Sequence, residues 1–258
     1  MRATDQNAWL AGVDGCAGGW IVAFVRPNGA EVRQRILTSF AEILTQPEMP
    51  AVVTVDMPIG LPEHSPPKGR LAESAVRPLL GNRKSSVFRI PSRSAVYAGT
   101  NSTPTDDRER FFLACDIARK TSEDGKAFAK QGFYIFRKIV EIDQFVRSNQ
   151  GMATRVFETH PEVAFWRING NHELEEPKKR KNRPYEPGMA LRRGLLVADG
   201  FPEEAVNHLP PKAKAGTDDW LDALACAAIA RRIHAGLAQP FPNPPPRDAF
   251  GLAMAIWA

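Results

Sequence analysis

Cysteine is scarce in this chain, with three residues among 258, at positions 16, 115 and 226. Their odd number and wide separation exclude a disulfide framework, and no CxxC pair offers the ligand spacing of a zinc site. This cysteine usage predicts a reducing, cytoplasmic location.

Long hydrophobic runs are also missing, since none reaches the roughly 18 apolar residues that a membrane span requires. The N-terminal residues "MRATDQNAWL" lack the apolar segment of a signal peptide, so we expect neither export nor membrane insertion. The motifs GxxxxGKS/T, GxSxG, HExxH and GxGxxG do not occur either. The sequence therefore gives no indication of a P-loop, a serine-hydrolase triad, a zinc-protease helix or a dinucleotide-binding turn.

The composition that remains is typical of a folded globular protein, with 43% hydrophobic and 24% charged residues. The length suits one large domain with an insertion, and we expect residues 1–258 to form a single domain. The net charge of +5 is compatible with a polyanionic partner such as nucleic acid, without requiring one.

The N-terminal part of the chain predicts a mixed α/β sheet. Apolar runs with strand patterns occur at residues 9–14, 20–26, 31–37 and 51–56. The turn sequence "PNGA" joins the second strand to the third, and a short helix with the capping-box spacing of Ser39 and Glu42 precedes the fourth. Two hairpins followed by a crossover predict a mixed sheet.

A helical insertion is predicted at about residues 60–150, where "TDDRERFFLACDIARK" and "FYIFRKIVEIDQFVRS" have helical spacing of apolar residues. After it, "TRVFET" (154–159) predicts a strand, and "HPEVAFWRI" predicts a helix with Pro161 at its first position. The clearest helix lies in "GTDDWLDALACAAIARRIHAG", and the tail "AFGLAMAIWA" is predicted to form an edge strand.

Five carboxylates stand at the ends of these predicted elements. Asp14 and Asp56 end the first and fourth strands, and Glu158 ends the later strand. Asp219 and Asp222 lie three residues apart at the start of the last helix. Roles in turns, caps and the helix dipole are open for the others, but Asp222 lies on a nearly apolar face where an unpaired carboxylate is costly.

We expect these carboxylates to converge, because sites in mixed sheets gather at strand ends and the adjacent loops. Such a cluster needs cations to stay ionised, and its hard oxygen ligands favour Mg²⁺ or Mn²⁺. Two such ions can activate a water molecule and stabilise the leaving oxygen of a phosphodiester.

Taken together, the motifs resemble the RNase H-like superfamily, through "GVDG", "VDMPIG" and "DDWLDALACAAIA". The last of these is similar to the helix of bacterial Holliday-junction resolvases that carries Asp-x-x-Asp-Ala-Leu-Ala. Over nearly its whole length the chain resembles the domain of unknown function 429 family, described as predicted RNase H-like nucleases. That resemblance is carried by "GVDGCAGGW", "DMPIGLP", "LGNRKSSVFRIPSR", "KIVEID", "ETHPEVAF" and "DDWLDALACA".

The resemblance implies an RNase H-like mixed central sheet, three antiparallel strands followed by parallel ones, with helices on both faces. It also implies that Mg²⁺ or Mn²⁺ is bound by Asp14, Asp56, Asp219 and Asp222. Asp56 is shorter than the Glu that a resolvase carries there. Glu158 and His160 have no clear resolvase counterpart and are further catalytic candidates; for His160 the alternatives are an extra ligand, a general acid/base or a helix N-cap.

Basic and hydroxyl side chains in the insertion are candidates for substrate binding, because such groups make phosphate contacts. They are Arg70, Arg77, Arg83, Lys84, Ser85, Ser86 and Arg93. An ordinary solvated loop is the alternative for this segment. The charged loop at 175–188, with "KKRKNR" at 178–183, is interpreted as a mobile surface loop, with nucleic-acid contact as the alternative.

Three functions are therefore considered. The first is a metal-dependent nuclease acting on a nucleic acid or a nucleotide phosphate ester. The second is a phosphotransferase or ATP-binding protein of the actin-like fold, because "GVDGCAGG" looks like a phosphate-binding hairpin, although no second such hairpin is present. The third is a non-catalytic nucleic-acid binder, against which the intact carboxylates argue, since they would repel phosphates unless cations neutralised them.

Overall fold

The computed structural model describes residues 5–101, 103–181 and 183–258. The first four residues of the N-terminal segment and Asn182 of the basic run 178–183 lie outside this part. Within the described ranges, no helix is both long and apolar enough to cross a membrane.

A five-stranded mixed sheet forms the centre of the protein. Its strands are β1 (Leu10–Cys16), β2 (Gly19–Val25), β3 (Val32–Leu37), β4 (Val52–Val55) and β5 (Val156–Glu158). Their order across the sheet is β3-β2-β1-β4-β5. The pairs β3–β2 and β2–β1 are antiparallel, whereas β1–β4 and β4–β5 are parallel. The mixed α/β sheet predicted from the sequence is confirmed.

Most of the remaining secondary structure is helical. The helices are α1 (Leu71–Val76), α2 (Arg93–Ala98), α3 (Asp107–Lys120), α4 (Lys130–Phe133), α5 (Phe136–Ser148), α6 (Pro161–Ile168), α7 (Glu186–Ala198), α8 (Glu203–Val206) and α9 (Thr217–His234). Short 3₁₀ helices occupy Ala41–Thr45, Arg77–Ser86 and Gln150–Thr154. The helical insertion between β4 and β5 therefore agrees with the prediction.

Two small hairpins complete the secondary structure. One pairs β6 (Lys179–Arg180) with β7 (Arg183–Pro184), and the other pairs β8 (Pro240–Phe241) with β9 (Ile256–Trp257). The tail was expected to form an edge strand, and its strand β9 pairs with β8 in a separate two-stranded sheet, not with the central sheet. Ala253 of the tail also forms an isolated bridge with Arg247.

The two faces of the sheet bury separate hydrophobic clusters, because alternate strand residues point to opposite sides. Leu10 and Ile21 pack on the face that carries α6, α7 and α9. Ala11 and Val13 pack on the opposite face, with α2, α3 and α5. Both faces of β1 are thus covered, which explains its nearly continuous apolar sequence.

Helix α9 packs directly on β1 at Gly12, and this contact predicts the effect of a substitution. A β-carbon at position 12 would lie 2.0 Å from the backbone nitrogen of Ala227 and 2.2 Å from the carbonyl oxygen of Ala223. Because backbone atoms cannot move aside by changing rotamer, Gly12→Ala should lower the free energy of unfolding by about 3 kcal/mol. Denaturant unfolding would measure the loss.

Gly194→Ala on α7 is the matched control, since a β-carbon there meets nothing within 4 Å. We expect it to leave stability unchanged or to raise it slightly, as alanine favours helix. Equal stability of the two variants would contradict the close approach of α9 to β1.

Candidate active site

The parallel pairing of β1 and β4 places Asp14 and Asp56 side by side. Val13 is in register with Val55, and the backbone N–H of Asp56 donates to the carbonyl oxygen of Val13 at 3.0 Å. Both aspartates follow these residues, so they share the carboxyl end of the two central strands. The alternation of strand side chains directs both toward α9, because Gly12 and Thr54, two residues earlier, contact that helix.

Helix α9 contributes the third carboxylate, Asp222. This residue directly precedes Ala223, whose carbonyl oxygen lies against Gly12 of β1. Asp14 is 7% exposed and Asp222 is 3% exposed, so two of the three carboxylates are buried. Two neighbouring strands and one packed helix thus supply a compact group of three acids, the carboxylate cluster Asp14, Asp56 and Asp222.

The electrostatics of the carboxylate cluster are unfavourable without a cation. Burial and the negative charges of Asp56 and Asp222 raise the pKa of Asp14 well above its usual value. Burial likewise raises the pKa of Asp56 to about 6, although His160 opposes the shift. Buried like charges of this kind are more often found at functional sites than in ordinary cores.

Lys178 provides a positive charge beside the carboxylate cluster, a role that the sequence interpretation of its segment did not include. Its ammonium group pairs with the carboxylate of Asp222. Burial acts to lower the pKa of Lys178, but the charges of Asp222 and Asp14 outweigh it and raise the pKa. The next residue, Lys179, lies 2.6 Å from Asp218. The first two residues of the basic run 178–183 therefore pair with acids of α9, while Lys179 and Arg180 remain exposed at the surface.

The cluster fits a divalent cation in its chemistry, but its present arrangement is completed by Lys178. Carboxylate oxygens are the ligands that Mg²⁺ and Mn²⁺ prefer, and one ammonium can neutralise only one of three acids. Among the described side chains, however, no group of three or more His, Cys, Asp and Glu residues is arranged so that it could hold a metal ion. A cation bound by all three acids therefore requires their carboxylates to move from their present positions, and Lys178 to leave Asp222.

Asp219 lies beside the cluster with its carboxylate engaged elsewhere. It accepts a hydrogen bond from the backbone nitrogen of Gly216 at 2.8 Å and closes the first turn of α9. This is the helix-terminus role that remained open for it in the sequence. Its negative charge contributes to the raised pKa of Asp14. To become a ligand of a metal ion, however, its side chain would have to rotate.

Glu158 is buried away from the carboxylate cluster. It is in register with Val55, so its side chain points to the opposite face of the sheet from Asp56. There it pairs with Arg70, which also binds Glu73, both at 2.6 Å. Arg70 is itself 2% exposed. Glu158 was predicted to be catalytic and Arg70 to bind substrate. Both belong instead to an internal ion-pair network that links the insertion to β5.

His160 takes one of the roles considered for it, that of a helix N-cap. Its Nδ1 accepts a hydrogen bond from the backbone nitrogen of Glu162 at 3.2 Å, so it is the N-cap of α6. A positive charge on His160 acts to lower the pKa of Asp56, because the chain turns from β5 into α6 beside that carboxylate. The cap fixes the ring next to the cluster.

The remaining basic and hydroxyl candidates are spread over the insertion. Arg93 pairs with Asp143 and Asp248, and Arg77 donates to the carbonyl oxygens of Val87 and Lys68, so both groups already have partners within the protein. The others belong to one 3₁₀ helix, in which Arg83 and Ser86 are half-buried and Lys84 and Ser85 are exposed. Among the side chains predicted to bind phosphate, the four in this 3₁₀ helix are therefore the ones that a ligand can reach.

Lys138 is a further cation that the sequence did not single out, although it begins the quoted stretch "KIVEID". It extends from α5 to the carbonyl oxygen of Gly19, and its ammonium group lies 4.1 Å from the centre of the Trp20 ring. Burial lowers the pKa of Lys138, and the negative charges of Asp14 and Asp219 oppose this shift. Local composition gives no signal for this placement, because it depends on how α5 packs against the β1–β2 turn.

The raised pKa of Asp56 predicts how the stability of the metal-free protein changes with pH. A carboxyl group whose pKa is about 6 when folded, against 3.8 in the reference state, binds its proton more tightly in the folded protein. Stability from this group is therefore lost as the pH rises from about 4 to about 6, by up to about 3 kcal/mol. When urea unfolding is measured in EDTA over this pH range, the free energy of unfolding should fall less steeply for Asp56→Asn than for the wild type. Parallel curves for the variant and the wild type would contradict the prediction.

Comparison with known families gives one result. The family model "Protein of unknown function (DUF429)" matches residues 12–247, a range that includes all three carboxylates of the cluster and Lys178. Comparisons with curated proteins and with solved structures find no match. Since the family model spans most of the sequence, the chain belongs to the DUF429 family of proteins of unknown function.

Proposed function

We propose that this protein is a metal-dependent phosphodiesterase of the RNase H-like type, a nuclease acting on nucleic acid or on a nucleotide phosphate ester. The observation that carries the proposal is the convergence of Asp14, Asp56 and Asp222 from two adjacent strand ends and one helix. A structural role would not require three carboxylates, two of them buried, to lie together at a cost in stability.

The topology of the sheet supports the same proposal. The order β3-β2-β1-β4-β5, antiparallel and then parallel, matches the arrangement that the sequence resemblance implies. Helices cover both faces, and the acids stand at the carboxyl ends of the central strands, where sites in such sheets are found.

The residues of the chain have separate tasks in this proposal. Asp14, Asp56 and Asp222 would hold Mg²⁺ or Mn²⁺, which when bound supplies charge neutralisation for the phosphate and an activated water. His160, held in place by its cap on α6, would add a positive charge near Asp56 when it is protonated. Arg83 and Lys84 add positive charge for the phosphate backbone of the substrate.

A cleavage assay tests the proposal with labelled single-stranded and duplex DNA and RNA, and with a small aryl phosphodiester, in Mg²⁺ or Mn²⁺. We expect Asp222→Asn to reduce cleavage by at least about a thousandfold, because a member of a catalytic unit is removed. The control is Asp116→Asn, an exposed acid on α3 that pairs with Arg119.

The phosphotransferase and the non-catalytic binder would give different results when phosphate transfer and nucleic-acid binding are measured beside cleavage. Transfer of phosphate from ATP without cleavage of any diester would favour the phosphotransferase. Binding of nucleic acid that improves in Asp222→Asn, with no cleavage by the wild type, would favour a non-catalytic binder. Either result would overturn the nuclease proposal.

A further inference from the structure

A cavity of about 240 Å³ shares Asp56 with the carboxylate cluster, and His160 and Lys178 also line it. Its other walls are largely apolar and include Phe88 and Ile135. The volume is just below the roughly 300 Å³ at which pockets for drug-sized ligands begin. A cavity of this size suits one small planar group attached to a phosphate, and is too small for a segment of polymer.

The polar groups in one wall of the cavity are already satisfied by one another. Arg70 donates to Glu73 at 2.7 Å and to Glu158 at 2.6 Å, and Glu158 also accepts from the backbone nitrogen of Ile59 at 2.8 Å. A ligand could pair with these groups only by breaking a buried ion pair, which is costly. Recognition in the cavity therefore depends on shape and stacking rather than on a specific hydrogen-bonding edge.

Two side chains are placed to contact a planar ligand. Phe88 is half-buried, so part of its ring remains accessible at the cavity. The Nδ1 atom of His160 accepts from the Glu162 backbone, which leaves the proton on Nε2, and Nε2 lies 3.3 Å from the carbonyl oxygen of Ser86. Nε2 therefore donates to this carbonyl oxygen at the long end of the hydrogen-bond range, and a ligand oxygen would have to replace Ser86 as the acceptor.

We propose that this cavity receives one unpaired nucleobase, stacked on Phe88, while the phosphodiester of the same nucleotide lies at the carboxylate cluster. The inference rests on the proposed function for the position of the phosphate. It names the substrate class as a free nucleotide ester or an unpaired nucleotide of a strand, because a cavity of about 240 Å³ is too small for a base that is still paired with its partner. Since stacking is tolerant of base identity, the site discriminates little among bases.

The first experiment measures the base alone, so it depends on neither metal nor cleavage. NMR titration in EDTA would compare thymidine with deoxyribose, which lacks the base. We expect thymidine to shift resonances of cavity residues and deoxyribose to leave them unchanged. Phe88→Ala should weaken thymidine binding by about tenfold or more, the usual effect of removing a stacking ring.

Two further variants control this result. Phe88→Tyr keeps the ring and should retain binding, which separates stacking from loss of fold. Phe112→Ala removes a half-exposed phenylalanine of α3 that does not line the cavity, and should bind thymidine like the wild type. Equal binding of thymidine by Phe88→Ala and wild type, with both folded, would overturn the base site.

The second experiment distinguishes the two sources of the nucleotide. In Ca²⁺, binding of a thymidine dinucleotide would be compared with binding of a longer single strand and of a blunt duplex. Equal affinity for dinucleotide and strand identifies a small ester, and tighter binding of the strand identifies a polymer end or loop. Tighter binding of the duplex than of the strand would overturn the inference. Thymidine binding without any cleavage would leave the base site standing and refute the nuclease proposal alone.

Discussion

Asp14→Asn is expected to abolish the response of the protein to divalent cations and to make the metal-free protein more stable. Burial and neighbouring negative charges raise the pKa of Asp14 well above its usual value, so its ionised form costs stability at neutral pH. The neutral amide removes that cost but is a much poorer ligand for Mg²⁺ or Mn²⁺. Thermal unfolding with and without Mn²⁺ measures both effects.

The expected difference between variant and wild type is large. A cation at a hundred times its Kd stabilises a native protein by about 2.7 kcal/mol, and the wild type should show this gain while Asp14→Asn shows none. Asp116→Asn, an exposed substitution on α3, should respond to Mn²⁺ like the wild type. An Asp14→Asn protein that is less stable than the wild type and still gains stability from Mn²⁺ would show that Asp14 is purely structural.

Lys178→Met is expected to have opposite effects on stability and on metal affinity. The substitution leaves the carboxylate of Asp222 without its partner, which should lower the metal-free stability by about 2 kcal/mol. This is less than the roughly 3–5 kcal/mol of a fully buried pair, because the Lys178 side chain is 28% exposed. The same change removes the ammonium group that competes with a cation, so Mn²⁺ should bind about tenfold more tightly.

Lys179→Met provides the matched control for this prediction. Lys179 is the next residue and also pairs with an acid of α9, but its side chain is 44% exposed. Its removal should change stability by less than about 1 kcal/mol and leave the Mn²⁺ affinity unchanged. Calorimetric titration of the three proteins with Mn²⁺ gives the comparison. Equal affinities in Lys178→Met and wild type would mean that Lys178 does not occupy the position of a cation.

The parts of the site that could be predicted from sequence are those fixed by local patterns. Apolar runs that end in an acid located Asp14 and Asp56, and the pairing of parallel strands then brings such ends together. Asp222 could be identified because it interrupts an apolar helix face. These inferences need only the strand and helix periods and the cost of burying a charge.

The parts that could not be predicted depend on register and on contacts between distant segments. The sequence pattern at 154–159 predicts a strand with Glu158 near its end. It does not predict that Glu158 is in register with Val55, so that its side chain lies on the opposite face of the sheet from that of Asp56. Nor does a basic run reveal its partners: Lys178 meets an acid 44 residues later in the chain. Arg70 and Arg93 look like phosphate ligands in sequence for the same reason, although buried carboxylates already bind them.

Crystals of the protein soaked in Mn²⁺, with anomalous diffraction recorded for manganese, would show whether the three carboxylates bind a cation. We expect an anomalous peak bound by Asp14, Asp56 and Asp222, with the ammonium group of Lys178 moved away from Asp222. Density showing Lys178 still paired with Asp222, and no manganese at the three carboxylates, would contradict this expectation.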